Sequence, residues 1–139
     1  MTRPSFCVNG DASTTVGSNY NPLVYTVVRH NNGGHYNATN GRFTAPVSGY
    51  YLFTGHICPT GNAVNSTSEL FLMLNGSTGN RWFLDRRKKL EATSENSYSM
   101  SGSAVIYLAA NDYIVLSHHS ITSTATIEGS SVFSGELLS

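Results

Sequence analysis

A chain of 139 residues has room for one domain, so residues 1–139 are read as a single unit. Eight Lys and Arg balance eight Asp and Glu, and charged residues are only 12% of the chain. This excludes the positive excess with which nucleic-acid binders displace counterions from phosphates. A hydrophobic content of 40% supplies a packed core and argues against disorder.

Ser, Thr and Asn take the place of charge, with 46 residues between them and no Gln. Their side chains compete for backbone hydrogen bonds, so together with 13 Gly they favour short strands and tight turns over helices. Zero net charge leaves little repulsion between copies and permits self-association. Cys7 and Cys58 are too few for a disulfide framework; they form either one bridge or two separate buried thiols. The opening MTRPSFCVNG has no long apolar run, so neither a signal peptide nor membrane insertion is expected. Either a targeting segment has been removed or the chain reaches its destination by another route.

In chain order, PSFCV at 4–8 is a short apolar segment and 9–22 a polar loop. LVYTVVR at 23–29 is β-branched and aromatic, a strand. NNGGHY at 31–36 and Asn40-Gly41 mark turns. A strand starts near Arg42, and Pro46 and Gly49 separate it from the next, at 49–57. There Tyr51, Phe53 and Ile57 fall on one face, and Tyr50, Leu52, Thr54 and His56 on the other. Large apolar groups on both faces predict a strand covered on both sides.

Residues 59–68 read as another polar loop. ELFLMLNG and NRWFLD form a hairpin about Asn75-Gly76. DRRKKLEATSENSYS at 85–99, with the chain's one charge run, reads as a long exposed loop with room for a short strand. SAVIYLAA (103–110) and YIVLSHHS (113–120) are strands joined by Asn111-Asp112. The tail, 131–139, is the last strand, with Phe133, Gly135 and Leu137 on one face. Nine or ten short strands without a helix predict an all-β antiparallel sandwich, most simply a jelly roll. An immunoglobulin-like sandwich lacks the paired cysteines that bracket a buried Trp.

Several of these residues also form a known pattern. GHYNATNGRFTAPVSGYYLFTGHI at 34–57 resembles the central signature of the C1q globular head family, within the tumour-necrosis-factor-like superfamily, with Phe43, Pro46, Gly49, Tyr51 and Phe53 at its fixed positions. VFSGELL at 132–138 is similar to the family's closing Phe-x-Gly-x-Leu-Leu, through Phe133, Gly135 and Leu137. NDYIVL at 111–116 resembles its Gly-Asp-x-Val-x-Leu element, with Asn111 in place of Gly. The resemblance implies a ten-stranded jelly roll assembled as a homotrimer, one sheet of each subunit along the threefold axis. Tyr50, Leu52, His56, Glu136 and Leu138 are then the candidate trimer contacts. Glu136 stands where relatives often carry an apolar residue, and a carboxylate facing the axis needs a partner, for which His56 of the neighbouring strand or a neighbouring chain is one candidate.

The sequence contains no catalytic constellation. His118-His119 and Glu128 invite a metal reading, but adjacent strand residues point to opposite faces. Asp85, Glu91, Glu95 and Asp112 are scattered candidates for calcium without a dense carboxylate loop. The expectation is a non-enzyme with no cofactor and no metal site. Arg86, Arg87, Lys88 and Lys89 read either as a solvated loop or as an anion-facing patch, to which Arg81 and Trp82 add stacking. The favoured function is a trimeric recognition head, extracellular or on a virion, on an upstream stalk or fibre, that binds a surface glycan, acidic polysaccharide or protein receptor by multivalent contacts. A structural trimerisation cap and a cytokine-like receptor ligand are the alternatives.

Overall fold

The structure, a computed structural model, describes residues 3–10, 14–16, 20–60, 66–88, 98–121 and 125–139. Period-two alternation in the long segments builds two antiparallel layers. One is a five-stranded sheet in the order β11 (Met100–Leu108), β7 (Gly49–Ile57), β14 (Val132–Leu137), β1 (Ser5–Asn9) and β4 (Val27–Asn32). The other runs β10 (Arg81–Lys88), β9 (Thr67–Leu74), β12 (Tyr113–Ile121), β6 (Arg42–Thr44) and β5 (Tyr36–Asn37), with β3 (Asn21–Pro22) also beside β12. A small third sheet joins β2 (Thr14–Val16), β13 (Ala125–Ile127) and β8 (Pro59–Thr60). The first and last strands of the five-stranded sheet lie side by side, with Phe6 opposite Gly135. This is the expected jelly-roll sandwich.

The expected pattern in β7 holds: Tyr51, Phe53 and Ile57 are buried, while Tyr50 and Thr54 are exposed and Leu52 and His56 half-buried. Tyr51 and Phe53 meet the rest of the core as rings. Phe6, from the five-stranded sheet, stacks on Phe43 and Tyr36 of the six-stranded sheet at 4.9 and 5.1 Å between centroids, and meets Phe133 edge-on at 4.8 Å. Phe43 lies 5.6 Å from both Tyr51 and Phe53. The rings therefore tie the two sheets together. Burial leaves each hydroxyl in need of a partner: Tyr51 Oη donates to the Val47 carbonyl at 2.7 Å and Tyr36 Oη to the Tyr25 carbonyl at 2.8 Å. Gly135 is small for a packing reason, since a Cβ there would come within 2.6 Å of Phe53 Cδ1 and 2.8 Å of Phe6 Cε1.

Asn75 and Gly76 adopt positive φ of 52° and 71°, and the β9–β10 hairpin turns there as expected. Other boundaries differ from the sequence reading. The strand expected at 23–29 is β4 at Val27–Asn32, and the turn expected at 31–36 is confined to the Gly33-Gly34 corner. Residues 23–26 instead cross from one layer to the other: the Leu23 amide donates to the Leu116 carbonyl at 2.7 Å and the Tyr25 amide to Tyr36 Oη at 3.1 Å. The loop expected at 85–99 is strand through Lys88, and 89–97 lie outside the described residues. The expected loops 9–22 and 59–68 contain β2, β3 and β8. With such two- and three-residue pieces the described residues hold fourteen strand segments, not nine or ten. β11 and β12 belong to different sheets, so the Asn111 turn, at φ 75°, carries the chain across the sandwich.

Truncating the ring at the centre of this cluster, Phe43→Ala, is expected to lower unfolding free energy by about 3–5 kcal/mol in urea titration. Gly135→Ala, which drives a methyl into two rings, is expected to cost roughly 1–3 kcal/mol. Unchanged midpoints in both variants would show that the ring cluster does not set stability.

Candidate functional site

The two sheets present outer faces of different chemistry. On the five-stranded sheet Tyr50 pairs with Tyr107 across β7 and β11, and their rings meet edge to face at 5.3 Å. Val105 stands opposite Leu52 in the same ladder. Tyr50, Val105 and Tyr107 are 53, 55 and 57% exposed, and Val28 and Leu138 are also open to solvent. Tyr50, Val105, Tyr107 and Leu138 are more than the scattered single apolar side chains usual on a monomer, whereas Val28, on the edge strand, stands opposite the core residue Val8. The expected contacts Tyr50, Leu52 and Leu138 thus share this sheet, whereas Val28, Val105 and Tyr107 were not anticipated.

Glu136 lies in the same face, but its expected partner does not lie beside it within the chain. The ladder sets Glu136 opposite Leu52 and His56 opposite Val132. The two are four residues apart along the strand direction, about 13 Å at 3.3 Å per residue. Instead Glu136 lines a groove of about 390 Å³ with Cys7, His30, Leu52 and Thr54, and His30 is the histidine that shares its surroundings. His56 Nε2 lies 4.0 Å from Cys58 Sγ. Cys7 and Cys58 are both free and half-buried.

The six-stranded sheet carries a second apolar cluster on its outer side. Phe71, Met73 and Val115 are buried there with Tyr113 against them. The roof over them is aromatic and cationic. Tyr20 meets Phe71 edge-on at 5.5 Å and lies 4.4 Å from the His119 ring. The Arg81 guanidinium sits 4.7, 5.1 and 5.4 Å from the centroids of Tyr20, Phe83 and Phe71. Arg42 lies over the Tyr113 ring at 4.1 Å. Beyond Phe71, buried Glu69 accepts from His119 Nδ1 at 3.0 Å and faces Arg86 Nε at 3.6 Å.

This arrangement distributes the expected basic patch over different environments. Arg81 and Phe83 face outward, while Trp82 and Leu84 turn inward and pack against the core. A bulge between Phe83 and Asp85 re-aims the strand. Arg86 is paired with Glu69, and Arg87 with Asp85 at 3.5 Å. Lys88 is exposed and Lys89 lies outside the described residues. The run therefore carries less net field than four consecutive cations suggest.

The acidic candidates have local duties. Asp112 Oδ2 accepts the Ala109 amide and Oδ1 the Asn75 side-chain amide, both at 2.9 Å. Asp85 accepts the Arg86 amide at 2.8 Å. Glu91 and Glu95 lie outside the described residues. Among the described residues no group of three or more His, Cys, Asp or Glu is arranged to hold a metal ion. His118 and His119 do split between faces: His119 joins Glu69 outside, and His118 is fully buried inside, with no hydrogen-bond partner for either ring nitrogen among the described residues.

Sequence reading missed Tyr20, Arg42, Glu69 and the Phe71–Met73–Val115 cluster. The available signal was FLML at 71–74, an unbroken apolar run that fills both faces of a strand.

Two antiparallel layers, with the chain's first and last strands side by side, define a C1q/TNF-like jelly roll. Solved structures share the fold. The globular domain of zebrafish complement 1qA superposes with a TM-score of 0.69 at 20% identity, over 99% of this chain and 98% of that one. Murine APRIL gives 0.69 at 15% identity over 99% and 100%. The Eiger TNF of S. frugiperda gives 0.66 at 15% over 100% and 94%. The family model "C1q domain" matches residues 5–138, and the chain belongs to the C1q domain family. It is 32% identical over 95 residues, 68% of its length, to the complement C1q tumor necrosis factor-related protein 2 of both mouse and human. The chain spans 29% of the mouse protein and 30% of the human one.

Burial away from water lowers the His118 pKa from 6.5 to about 4, with His119 adding to the effect and Glu69 opposing it. The folded protein therefore declines a proton that the unfolded chain accepts. The stability from neutral His118 is complete above pH 6.5 and falls as pH drops from 6.5 to 4, by on the order of 3 kcal/mol. His118→Leu is expected to remove that share of the decline, so its stability falls less than wild type between pH 7 and 4. Parallel pH profiles in urea titration would refute this account.

Proposed function

We propose that the domain is a trimeric recognition head that acts outside the cell and binds a surface ligand through repeated, individually weak contacts. One observation carries this reading: Tyr50, Val105 and Tyr107 lie open on the outer face of a single sheet, with Leu138 beside them just past β14. Removing apolar area from water returns roughly 25 cal/mol per Å². A sister copy is the occupant at hand, since zero net charge leaves no long-range repulsion to overcome. Glu136, His30 and Cys7 would then face the interior of the assembly across their groove.

If the five-stranded sheets turn inward, each six-stranded sheet turns outward. The Arg42, Arg81 and Arg86 surface would then be repeated three times around the head. Three linked sites raise apparent affinity for a repetitive surface by on the order of 10²–10⁴ over one site. The basic run at 86–89 contributes a rim to that surface rather than its centre, because Arg86 and Arg87 already have acidic neighbours.

Sedimentation velocity at micromolar concentration is expected to show three times the monomer mass for wild type and the monomer mass for Tyr107→Lys. Binding to a glycan-coated surface is expected to weaken at least 100-fold in the monomeric variant. A folded wild-type monomer would overturn the assembly. A trimer that binds no glycan or surface polymer at either low or high salt would make the domain a structural cap.

A further inference from the structure

We propose that the outer face of the six-stranded sheet holds a pocket for a sugar that carries both a carboxylate and an N-acetyl group. The pocket is the cleft between residues 20–24, the turn leading into β6, and the β9–β10 hairpin. Its volume of about 440 Å³ lies within the ordinary size of small-ligand sites.

Its chemistry is divided. Met73 and Val115 form an apolar floor, with Pro22 and Val24 on one wall and Tyr20 and Tyr113 completing the lining. That surface suits a methyl group and the C–H face of a ring, and leaves a fully hydroxylated ligand poorly matched. At the rim stands Arg42. Its guanidinium rests on the Tyr113 ring at 4.1 Å, which holds the plane but uses none of its N–H donors. Among the described residues no carboxylate lies within ion-pair distance of Arg42, unlike Arg86 and Arg87. A fixed, unpaired guanidinium beside an apolar floor is complementary to a ligand carboxylate, which it can bind through two parallel hydrogen bonds.

Two further groups read hydroxyls. Asn40 Oδ1 accepts the Arg42 amide at 3.0 Å, which leaves its Nδ2 as a donor at the pocket edge. Thr78, on the β9–β10 hairpin, is the other hydrogen-bonding residue of the lining. The hairpin that presents Thr78 is held in place, because Asn75 Oδ1 accepts the Tyr113 amide and its Nδ2 donates to Asp112, both at 2.9 Å. The pocket is therefore largely formed before a ligand arrives. Carboxylate to Arg42, acetyl methyl to Met73 and Val115, and hydroxyls to Asn40 and Thr78 account for each kind of group in the lining.

This assignment deepens the recognition reading above by naming its ligand class, yet it does not need the trimer, since each chain carries the whole pocket. Binding of three soluble methyl glycosides, followed by amide NMR shifts and calorimetry, tests it. Methyl α-N-acetylneuraminide has both groups, methyl β-glucuronide has only the carboxylate, and methyl N-acetyl-β-glucosaminide only the acetyl. The first is expected to shift Met73, Val115 and Tyr113 amides and to bind at least about tenfold tighter than either of the others. Arg42→Gln is expected to lose about tenfold in affinity, and Arg42→Lys, which keeps the charge but not the fork, an intermediate amount. Arg86→Gln is expected to bind as wild type does. Equal binding of the three glycosides, full binding by Arg42→Gln, or shifts confined to other residues would each overturn the pocket. A trimer that binds glycan surfaces but none of these sugars would sink this proposal and leave the recognition head standing. A monomer that binds the first sugar would do the reverse.

Discussion

Phe6 is the residue on which both layers close. It lies in the five-stranded sheet, yet its ring stacks on Phe43 and Tyr36 of the other sheet while Phe133 meets it edge-on. Dispersion between such rings falls off steeply with distance, so they fix the spacing of the sheets within narrow limits. Gly135 follows from that spacing, because two rings occupy the place a side chain would take. So does the path of residues 23–26, whose backbone donates to Leu116 and Tyr36 as it crosses between layers.

A sandwich with its inner faces filled by aromatic rings must settle what its two outer faces do. Here they differ. The six-stranded sheet roofs its outer apolar cluster with its own side chains, by laying Arg81 and Tyr20 over Phe71 and Arg42 over Tyr113. On the five-stranded sheet Tyr50, Val105 and Tyr107 stay more than half exposed, with no such roof among the described residues. Guanidinium groups suit the first task because they pack against rings while keeping their edges available for hydrogen bonds. The contrast is what separates the proposed association face from the proposed ligand face.

Much of the fold was legible because local signals agreed. In β7, alternation, aromatic content and the bracketing Pro46 and Gly49 all point to one strand, and Tyr51 and Phe53 are buried as the pattern requires. The Asn75-Gly76 hairpin was legible for the same reason, since its backbone needs positive φ. Segments such as β3 and β8 were not, because two residues pair through backbone groups that any side chain can accompany. The basic run misled in a specific way. Read as loop, it left open a solvated segment or an anion-facing patch; as the end of β10, it is in register with Glu69 and next to Asp85. Register along β7 and β14 likewise separates Glu136 from His56 within one chain, which local pattern does not reveal.

Composition and periodicity by themselves determined that the chain is an all-β sandwich with an aromatic core, because alternation and turn chemistry act over a few residues. Which histidine shares a groove with Glu136, which cations keep a free edge, and which apolar face lies open were decided by tertiary structure. Those outcomes depend on strand register and on pairs such as Arg42 with Tyr113 and Glu69 with His119, 71 and 50 residues apart in the chain. No local pattern sets such distances; the register of β6, β9 and β12 within the six-stranded sheet does.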